Sequence, residues 1–302
     1  MSAEAQPAAW RGDVAVIIPS LRGEVGELLE SIRSQTLLPG RVEVVRGVSP
    51  NGRARNVGVA RTGGEVVVFI DDDAVLGHPE VLARLVAAVE VDPTVGVAGA
   101  SRLLPPRAPW FQRWVAAEVP RTTHAVVDEP LETNPEPANH YYCEITTTCC
   151  AMRRDVFAGL GGFDEGLVRG VDSEFFVRVR RRGYRLLLVP QTWAYHPAPP
   201  TLRALLRKQF LYGLGHAQEV KRDPSRDLGR VFRSRRQAVA YLAFRTLILV
   251  PNIFLPFSYA DPRWRLACKP LKALASYASA LGYIYGWYNN EEAWTSRKAS
   301  QV

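Results

Sequence analysis

Three consecutive aspartates, Asp71, Asp72 and Asp73, directly follow the apolar run Val66-Val67-Val68-Phe69-Ile70. Five successive hydrophobic residues, mostly β-branched or aromatic, are typical of a strand buried on both faces in a parallel sheet. Open α/β sheets bind ligands at the carboxyl ends of such strands. Neighbouring carboxylates repel one another unless a counter-charge is near, so the triplet predicts a divalent cation that carries a phosphorylated substrate.

The first two hundred residues alternate between strand-like and helix-like segments. Strands are predicted at 13–20, 42–45, 65–70, 95–104, 145–154 and 184–190, and helices at 24–35, 53–60, 79–91, 155–160 and 172–182. This alternation indicates an α/β domain with a doubly wound, mostly parallel sheet. Residues 105–140 are rich in proline and lack periodicity, and we expect a long irregular insertion there.

The basic charge of the chain belongs to its carboxyl third. Residues 1–200 carry 21 Lys and Arg against 24 Asp and Glu, whereas residues 201–302 carry 17 against 6. The same third contains long apolar segments at 238–260 and 266–288. Basic and apolar character together predict a helical extension, 201–302, that associates with an anionic membrane through interfacial or re-entrant helices rather than two full spans. A helical subdomain packed on the sheet or on a partner chain is the alternative.

Several features bear on partners and compartment. The aromatic residues of the carboxyl third alternate with Leu, Ile and Ala rather than with Lys and Arg, so no nucleic-acid partner is expected. The four cysteines show no CxxC spacing, which favours a reducing compartment without a zinc site. Residues 1–12 resemble no signal peptide and are predicted to be disordered. We therefore expect a cytoplasmic protein at the inner face of the cell membrane.

Four segments, in this order, resemble the family 2 glycosyltransferases, which have the GT-A nucleotide-sugar-binding fold. They are VAVIIPS with LLESIRSQTLLP, NGRARNVGVARTGGEVVVFIDDDAVL, MRRDVFAGLGGFDEGLVRGVDSEFFVRVRRRGYRL and WAYHPAPPTLRALLRKQFLYGLGHA. The resemblance covers residues 13–216 and implies that residues 13–200 form a GT-A-type catalytic domain. The chain lacks the QxxRW signature of processive synthases, which favours a single transfer.

The resemblance implies a metal-dependent, inverting transfer of a sugar to a hydroxyl acceptor, either a lipid-linked saccharide or another glycan precursor. It implies that Asp71, Asp73 and His196 bind Mn²⁺ or Mg²⁺, and that Asp172 is the catalytic base, with Glu174 as the alternative. Asp71 and Asp73 lie on the same side of an extended chain, whereas a turn would bring Asp72 into play. The implied donor-binding residues are Pro19, Ser20, Arg46, Asn56, Asp71, Asp72, Arg203 and Arg207, with Lys208 beside them.

The sequence departs from the family at two positions. No carboxylate follows the second strand, where the family binds the nucleobase, so base recognition is expected from Arg46, Ser49, Asn51 or backbone groups. Val171 precedes Asp172 where the family usually has Glu.

Two alternative functions remain open from the sequence. One is a haloacid dehalogenase-type phosphatase, with Asp71 as nucleophile and Asp73 as acid/base. The other is a catalytically inactive scaffold for a membrane complex.

Overall fold

The computed structural model describes residues 9–120, 125–133, 144–224, 231–255 and 268–289. The chain divides into two compact units. The first comprises Met1–Pro105, Thr122–Glu165 and Val171–Pro197, and the second comprises Pro106–Arg121, Gly166–Gly170 and Ala198–Val302. The predicted boundary at residue 200 lies close to the change at 197, but two segments from the first two hundred residues belong to the second unit.

The elements follow one another in an α/β order. They are β1 (Ala9–Ser20), α1 (Gly26–Arg33), β2 (Leu37–Arg46), α2 (Asn51–Ala60), β3 (Val66–Ile70), β4 (Val75–Leu76), α3 (Val81–Val91), β5 (Val95–Leu103), α4 (Trp110–Glu118), β6 (Leu131–Glu132), β7 (Cys149–Arg153), α5 (Arg154–Gly159), α6 (Val171–Arg181), β8 (Arg185–Tyr195), α7 (Leu202–Arg222), α8 (Arg235–Leu247), α9 (Leu249–Phe254) and α10 (Pro270–Tyr288). Helices α4 and α7–α10 belong to the second unit.

The strands of the first unit form a single mixed sheet. Its order is β2-β1-β3-β7-β5-β8-β4, and β6 also pairs with β8. Strands β1, β2 and β3 are parallel, as are β5 and β8, whereas β7 runs antiparallel between β3 and β5. All five residues of β3 are at most 1% exposed, as expected for a strand covered on both faces. The predicted α/β class with a mostly parallel sheet is confirmed.

One edge of the sheet gathers the carboxyl ends of its parallel strands. Ser20 ends β1 and lies opposite Arg46, the last residue of β2, while Asp71 directly follows β3. Strand β8 ends at Tyr195, which pairs with Leu103 at the end of β5. This edge is where ligands bind in parallel α/β sheets.

Two predictions about irregular segments are corrected. Strand β1 begins at Ala9, and Ala9–Arg11 pair with Leu37–Pro39 of β2, so the prediction of disorder over 1–12 is wrong for residues 9–12. Residues 1–8 lie outside the described part of the chain. The proline-rich insertion contains a helix, α4, because Trp110–Glu118 are free of proline.

The second unit is helical in its described parts. Helices α7 and α10 approach so closely that a Cβ on Gly213 would lie 1.9 Å from the backbone oxygen of Ser279. The buried carboxylate of Glu118 accepts hydrogen bonds from the backbone N–H groups of Leu271 and Lys272, and so joins α4 to the start of α10. Within the described ranges, no helix combines the length and apolar character needed to span a bilayer.

Candidate metal and donor site

Three side chains that could bind a cation meet at the carboxyl edge of the sheet. One ligand atom from each of Asp71, Asp73 and His196 lies within 4.8 Å of the other two. The Nε2 atom of His196 is 3.2 Å from Oδ1 of Asp73 and 3.9 Å from Oδ2 of Asp71. The structure thus brings together the three residues that the sequence predicted as metal ligands.

A turn and a short strand pairing produce this convergence. The N–H of Ala74 donates to the carbonyl of Asp71 at 3.1 Å, so the chain turns after β3 instead of continuing as a strand. Strand β4 then pairs antiparallel with the end of β8, with Val75 opposite Tyr195. His196, the next residue, is therefore held beside Asp73. The two aspartates meet because of this turn, and not because side chains alternate along an extended chain.

The orientation of His196 suits a ligand role. Its Nδ1 atom is 3.0 Å from the carbonyl oxygen of Pro197, which only an N–H group can satisfy. The Nε2 atom therefore faces the two carboxylates. In a neutral imidazole Nε2 carries a lone pair, so the arrangement is favourable when a cation lies among the three groups. Two carboxylate oxygens and one imidazole nitrogen fit a divalent ion such as Mn²⁺.

Asp71 is fixed through both of its carboxylate oxygens. Arg55 Nη2 donates to Oδ1 at 2.6 Å, and the hydroxyl of Thr148 donates to Oδ2 at 3.0 Å. The Arg55 side chain is only 4% exposed, and its guanidinium lies over the ring of Phe163. No role was predicted for Arg55 or Thr148 from the sequence. The position of Arg55 in the second of the four family-like segments was the available signal, whereas Thr148 becomes visible only through the pairing of β3 and β7.

The other predicted donor residues of the first unit lie along the same edge. Ser20 hydrogen-bonds to the carboxyl of Asp72 and also accepts the N–H of Gly23 at 2.8 Å. Partial burial raises the pKa of Asp72, and repulsion from Asp73 and Asp71 adds to this, while the Ser20 hydrogen bond opposes it. The exposed Arg46 side chain crosses Gly23, whose φ of +76° favours glycine. Pro19 is buried at the end of β1.

Asn56 supports a loop rather than facing the donor. Its amide nitrogen donates to the carbonyl of Phe163 and to the carboxylate of Glu165, both at 2.9 Å, and its amide oxygen accepts the N–H of Phe163. Both N–H groups of the side chain are therefore used. The Phe163 ring packs against Phe69 of β3 at 5.2 Å. Asn56 therefore holds the loop at Phe163, and its predicted contact with the nucleotide stays a prediction.

The family model for glycosyl transferase family group 2 matches residues 66–288, which is most of the chain and includes the aspartate triplet and His196. The chain belongs to this family. Its mixed sheet within an α/β unit agrees with the fold class that the sequence predicted. Membership in this family also decides against the haloacid dehalogenase-type phosphatase.

Known proteins resemble the chain over different extents. It is 28% identical over 168 residues to the O-antigen biosynthesis protein RfbC of Myxococcus xanthus, covering 54% of this chain and 13% of RfbC. The chain thus spans only a small part of that relative. A mannosyltransferase from Pyrobaculum calidifontis in complex with GDP-Man and Mn²⁺ is 18% identical, with a TM-score of 0.47 and coverage of 96% of this chain and 80% of that one. TarS from S. aureus is 14% identical, with a TM-score of 0.43 and coverage of 94% and 92%.

Asp172 lies in the first turn of α6. The helix begins at Val171, so Asp172 is its second residue. Its Oδ1 accepts the N–H of Ser173 at 3.0 Å. Gly52 of α2 allows close approach here, because a Cβ would lie 2.7 Å from the Asp164 carbonyl and 2.9 Å from Val171. The start of α2 thus fixes the start of α6.

Glu174, the alternative base, is engaged elsewhere. Both of its oxygens accept from Arg178, at 2.6 and 2.8 Å. Arg178 in turn donates to the carbonyls of Leu160 and Gly162. This bidentate pair ties α6 to the turn after α5, where Gly161 and Gly162 have φ of +76° and +72°. Asp172 therefore remains the better candidate for the base.

Arg203 and Arg207 lie on α7, in the second unit. Both side chains are exposed, and Thr201 caps the helix by accepting the N–H of Ala204 at 3.2 Å. Their contact with a donor diphosphate stays a prediction, as do the suggested roles of Lys208 and of Ser49 and Asn51 in binding the base.

Proposed function

We propose that this chain transfers a sugar from a nucleoside-diphosphate donor to a hydroxyl acceptor, with inversion at the anomeric carbon. The convergence of Asp71, Asp73 and His196 at the ligand-binding edge of the sheet is the observation that carries this proposal. Family membership supports the reaction class. Proposed roles extend to Asp172 as the base and to Ser20, Arg46 and Asp72 as donor contacts.

The proposed reaction needs a cation site, residues that orient it and a base. Asp71, Asp73 and His196 would hold a divalent cation, which supplies positive charge to the departing diphosphate. Arg55 and Thr148 keep Asp71 oriented, so the ligand set is preorganised. Asp172 accepts the proton of the acceptor hydroxyl as the new glycosidic bond forms.

The acceptor is proposed to be a lipid-linked saccharide or another glycan precursor. The similarity to a protein named for O-antigen biosynthesis supports a glycan acceptor. The charge of residues 201–302 supports a location at an anionic membrane face, where a lipid-linked acceptor would be found.

A thermal-shift screen of nucleoside diphosphates and nucleotide sugars, with Mn²⁺ or with chelator, tests donor binding. A ligand at a hundred times its Kd stabilises the folded state by about 2.7 kcal/mol. We expect a shift that needs both one class of nucleotide and the metal, and that disappears in Asp73→Asn. If no nucleotide shifts the wild-type protein in the presence of Mn²⁺, the proposal is wrong.

Product analysis tests the base and the stereochemistry. We expect the anomeric proton of the product, seen by NMR, to show inverted configuration, and Asp172→Asn to lower kcat by about 10²- to 10⁴-fold with the nucleotide shift retained. Full activity in Asp172→Asn would place the base elsewhere. Donor turnover by the wild type that Asp73→Asn abolishes would exclude the inactive scaffold.

A further inference from the structure

The outward surface of α8 and α9 is apolar. Leu247 and Val250 are 77% and 62% exposed, and Val239, Phe244, Phe254 and Leu255 along the same stretch are exposed as well. We call these six residues the α8–α9 face. On α8, Phe244 and Leu247 are three residues apart, so their side chains are neighbours on the helix surface. Contiguous exposed apolar surface of this kind marks an interaction site.

Two side chains near the carboxyl-terminal end of α8 are hydrogen-bonded to α10. Arg245 donates to the Tyr241 hydroxyl and to the hydroxyl of Ser276 on α10. The Thr246 hydroxyl is likewise hydrogen-bonded to that of Tyr277 of α10. At this end of the helix the cation of Arg245 therefore has partners within the protein, while Phe244 and Leu247 stay exposed.

Three exposed arginines, Arg233, Arg235 and Arg236, lie where α8 begins. The amino-terminal end of a helix carries partial positive charge, so cations there do not stabilise the helix through its dipole. No Asp or Glu occurs between residues 229 and 260, so this stretch supplies no acidic side chain to the three arginines. An external anion is the partner that this arrangement favours.

We infer that the α8–α9 face and these three arginines form a docking surface for an anionic lipid bilayer. The arginines contact the headgroups, and the apolar side chains enter the boundary between headgroups and acyl chains, as in interfacial amphipathic helices. A second copy of the chain could cover the apolar side chains, but the same surface would bring no negative charge to the arginines. The inference specifies how the chain would bind the membrane face named in the proposed function. It rests on that proposed location and not on the proposed catalytic activity.

Flotation of the full-length protein with vesicles tests the inference. We expect binding to vesicles of phosphatidylcholine and phosphatidylglycerol in equal parts, and weak binding to phosphatidylcholine alone. The triple variant Arg233→Gln, Arg235→Gln, Arg236→Gln should weaken binding about 100-fold, because each basic residue contributes about fivefold near an anionic surface. Its matched control changes Arg33, Arg41 and Arg61, all exposed in the first unit, to Gln and should bind as the wild type does.

Apolar contacts are tested by Leu247→Ser with Val250→Ser, expected to weaken vesicle binding at least about tenfold. The control Val91→Ser removes a residue that is 84% exposed on α3 and should change nothing. The inference would be overturned if the wild-type protein did not bind anionic vesicles, or if the double variant bound them as the wild type does. A dimer in light scattering that the double variant dissociates would also overturn it, because it would assign the face to a second copy. The Asp73→Asn variant should still bind vesicles. Its vesicle binding therefore distinguishes failure of the membrane inference from failure of the catalytic proposal.

Discussion

Arg55 and Asp71 show how one residue pair shapes the site. Asp71 follows a fully buried strand and lies next to two further carboxylates, and Arg55 brings a compensating cation within 2.6 Å. The buried guanidinium of Arg55 also lies over the Phe163 ring. Separating Arg55 from Asp71 would therefore leave a buried charge without a partner. The pair therefore sets the orientation of Asp71, one of the three candidate cation ligands.

Replacing Arg55 should damage both folding and metal binding. For Arg55→Met we expect a loss of about 3 kcal/mol of unfolding free energy, the low end for breaking a buried ion pair, because Asp71 is partly exposed. We also expect Mn²⁺ affinity to fall about 10- to 100-fold by titration calorimetry, as for other residues that orient a metal ligand. The control Arg53→Met, on the same helix but 61% exposed and 3.9 Å from Glu165, should change stability by less than about 0.5 kcal/mol. Equal effects of the two substitutions would contradict the role given to Arg55.

Burial should make two cysteines inert. Desolvation raises the pKa of Cys149 to about 12 and also raises the pKa of Cys150, whereas Cys268 is exposed. A raised pKa means that almost no thiolate exists near neutral pH, and only the thiolate reacts. At about pH 8, iodoacetamide should modify Cys268 in the native protein and leave Cys149 and Cys150 unmodified, as read by peptide mass spectrometry. Modification of Cys149 or Cys150 in the folded protein would show that β7 is accessible to solvent, and would contradict the burial of these thiols.

At the scale of elements, apolar runs were a sufficient guide to the main strands. β1, β3, β5 and β8 each contain a continuous hydrophobic segment that is visible in the sequence. The antiparallel direction of β7 was not visible, because it depends on the path of the preceding connection. β4 has only two residues, too few to show any periodicity, yet its pairing with β8 brings His196 to Asp73.

The packing of α7 on α10 depends on glycines at the contact. A Cβ on Gly213 would lie 1.9 Å from the Ser279 carbonyl, and one on Gly282 equally close to that of Phe210. Gly213→Ala should lower the free energy of unfolding by about 1–3 kcal/mol or more, since backbone atoms cannot move aside cheaply. The control Gly26→Ala, in α1 with open space around it, should be neutral or stabilise by about 0.4–1 kcal/mol. Chemical denaturation measures both, and a neutral Gly213→Ala would contradict the close packing.

At the scale of the whole molecule, charge and apolar exposure divide in the same way between the two units. Most of the large hydrophobic side chains that are exposed among the described residues belong to the second unit, which also carries most of the excess positive charge. The first unit holds the acidic triplet and its proposed cation site. The partners proposed for the two units therefore differ, a nucleotide with metal for the first and a lipid surface for the second.

Salt should separate these two kinds of binding. The Debye length falls from about 10 Å at 0.1 M salt to about 3 Å at 1 M, so the attraction between exposed arginines and headgroups is screened. We expect vesicle binding to drop steeply over this range in flotation assays. Nucleotide binding with Mn²⁺, followed by thermal shift, should change much less because its charges are in direct contact and partly buried. Vesicle binding that survives 1 M salt unchanged would show that the arginines do not contribute.

The sequence by itself determined the fold class, the family and three candidate cation ligands. Local runs of buried apolar residues predict the strands, and the carboxylate triplet after one of them indicates a counter-charge, whereas the family and the role of His196 came from the resemblance of four segments to known motifs. The tertiary structure decided how those residues meet and which neighbours support them. The pairing of β4 with β8 that brings His196 to Asp73, the hold of Arg55 and Thr148 on Asp71, and the contact of Asn56 with the loop at Phe163 all depend on contacts between distant segments. Such contacts are fixed by packing and strand pairing, which no local pattern encodes.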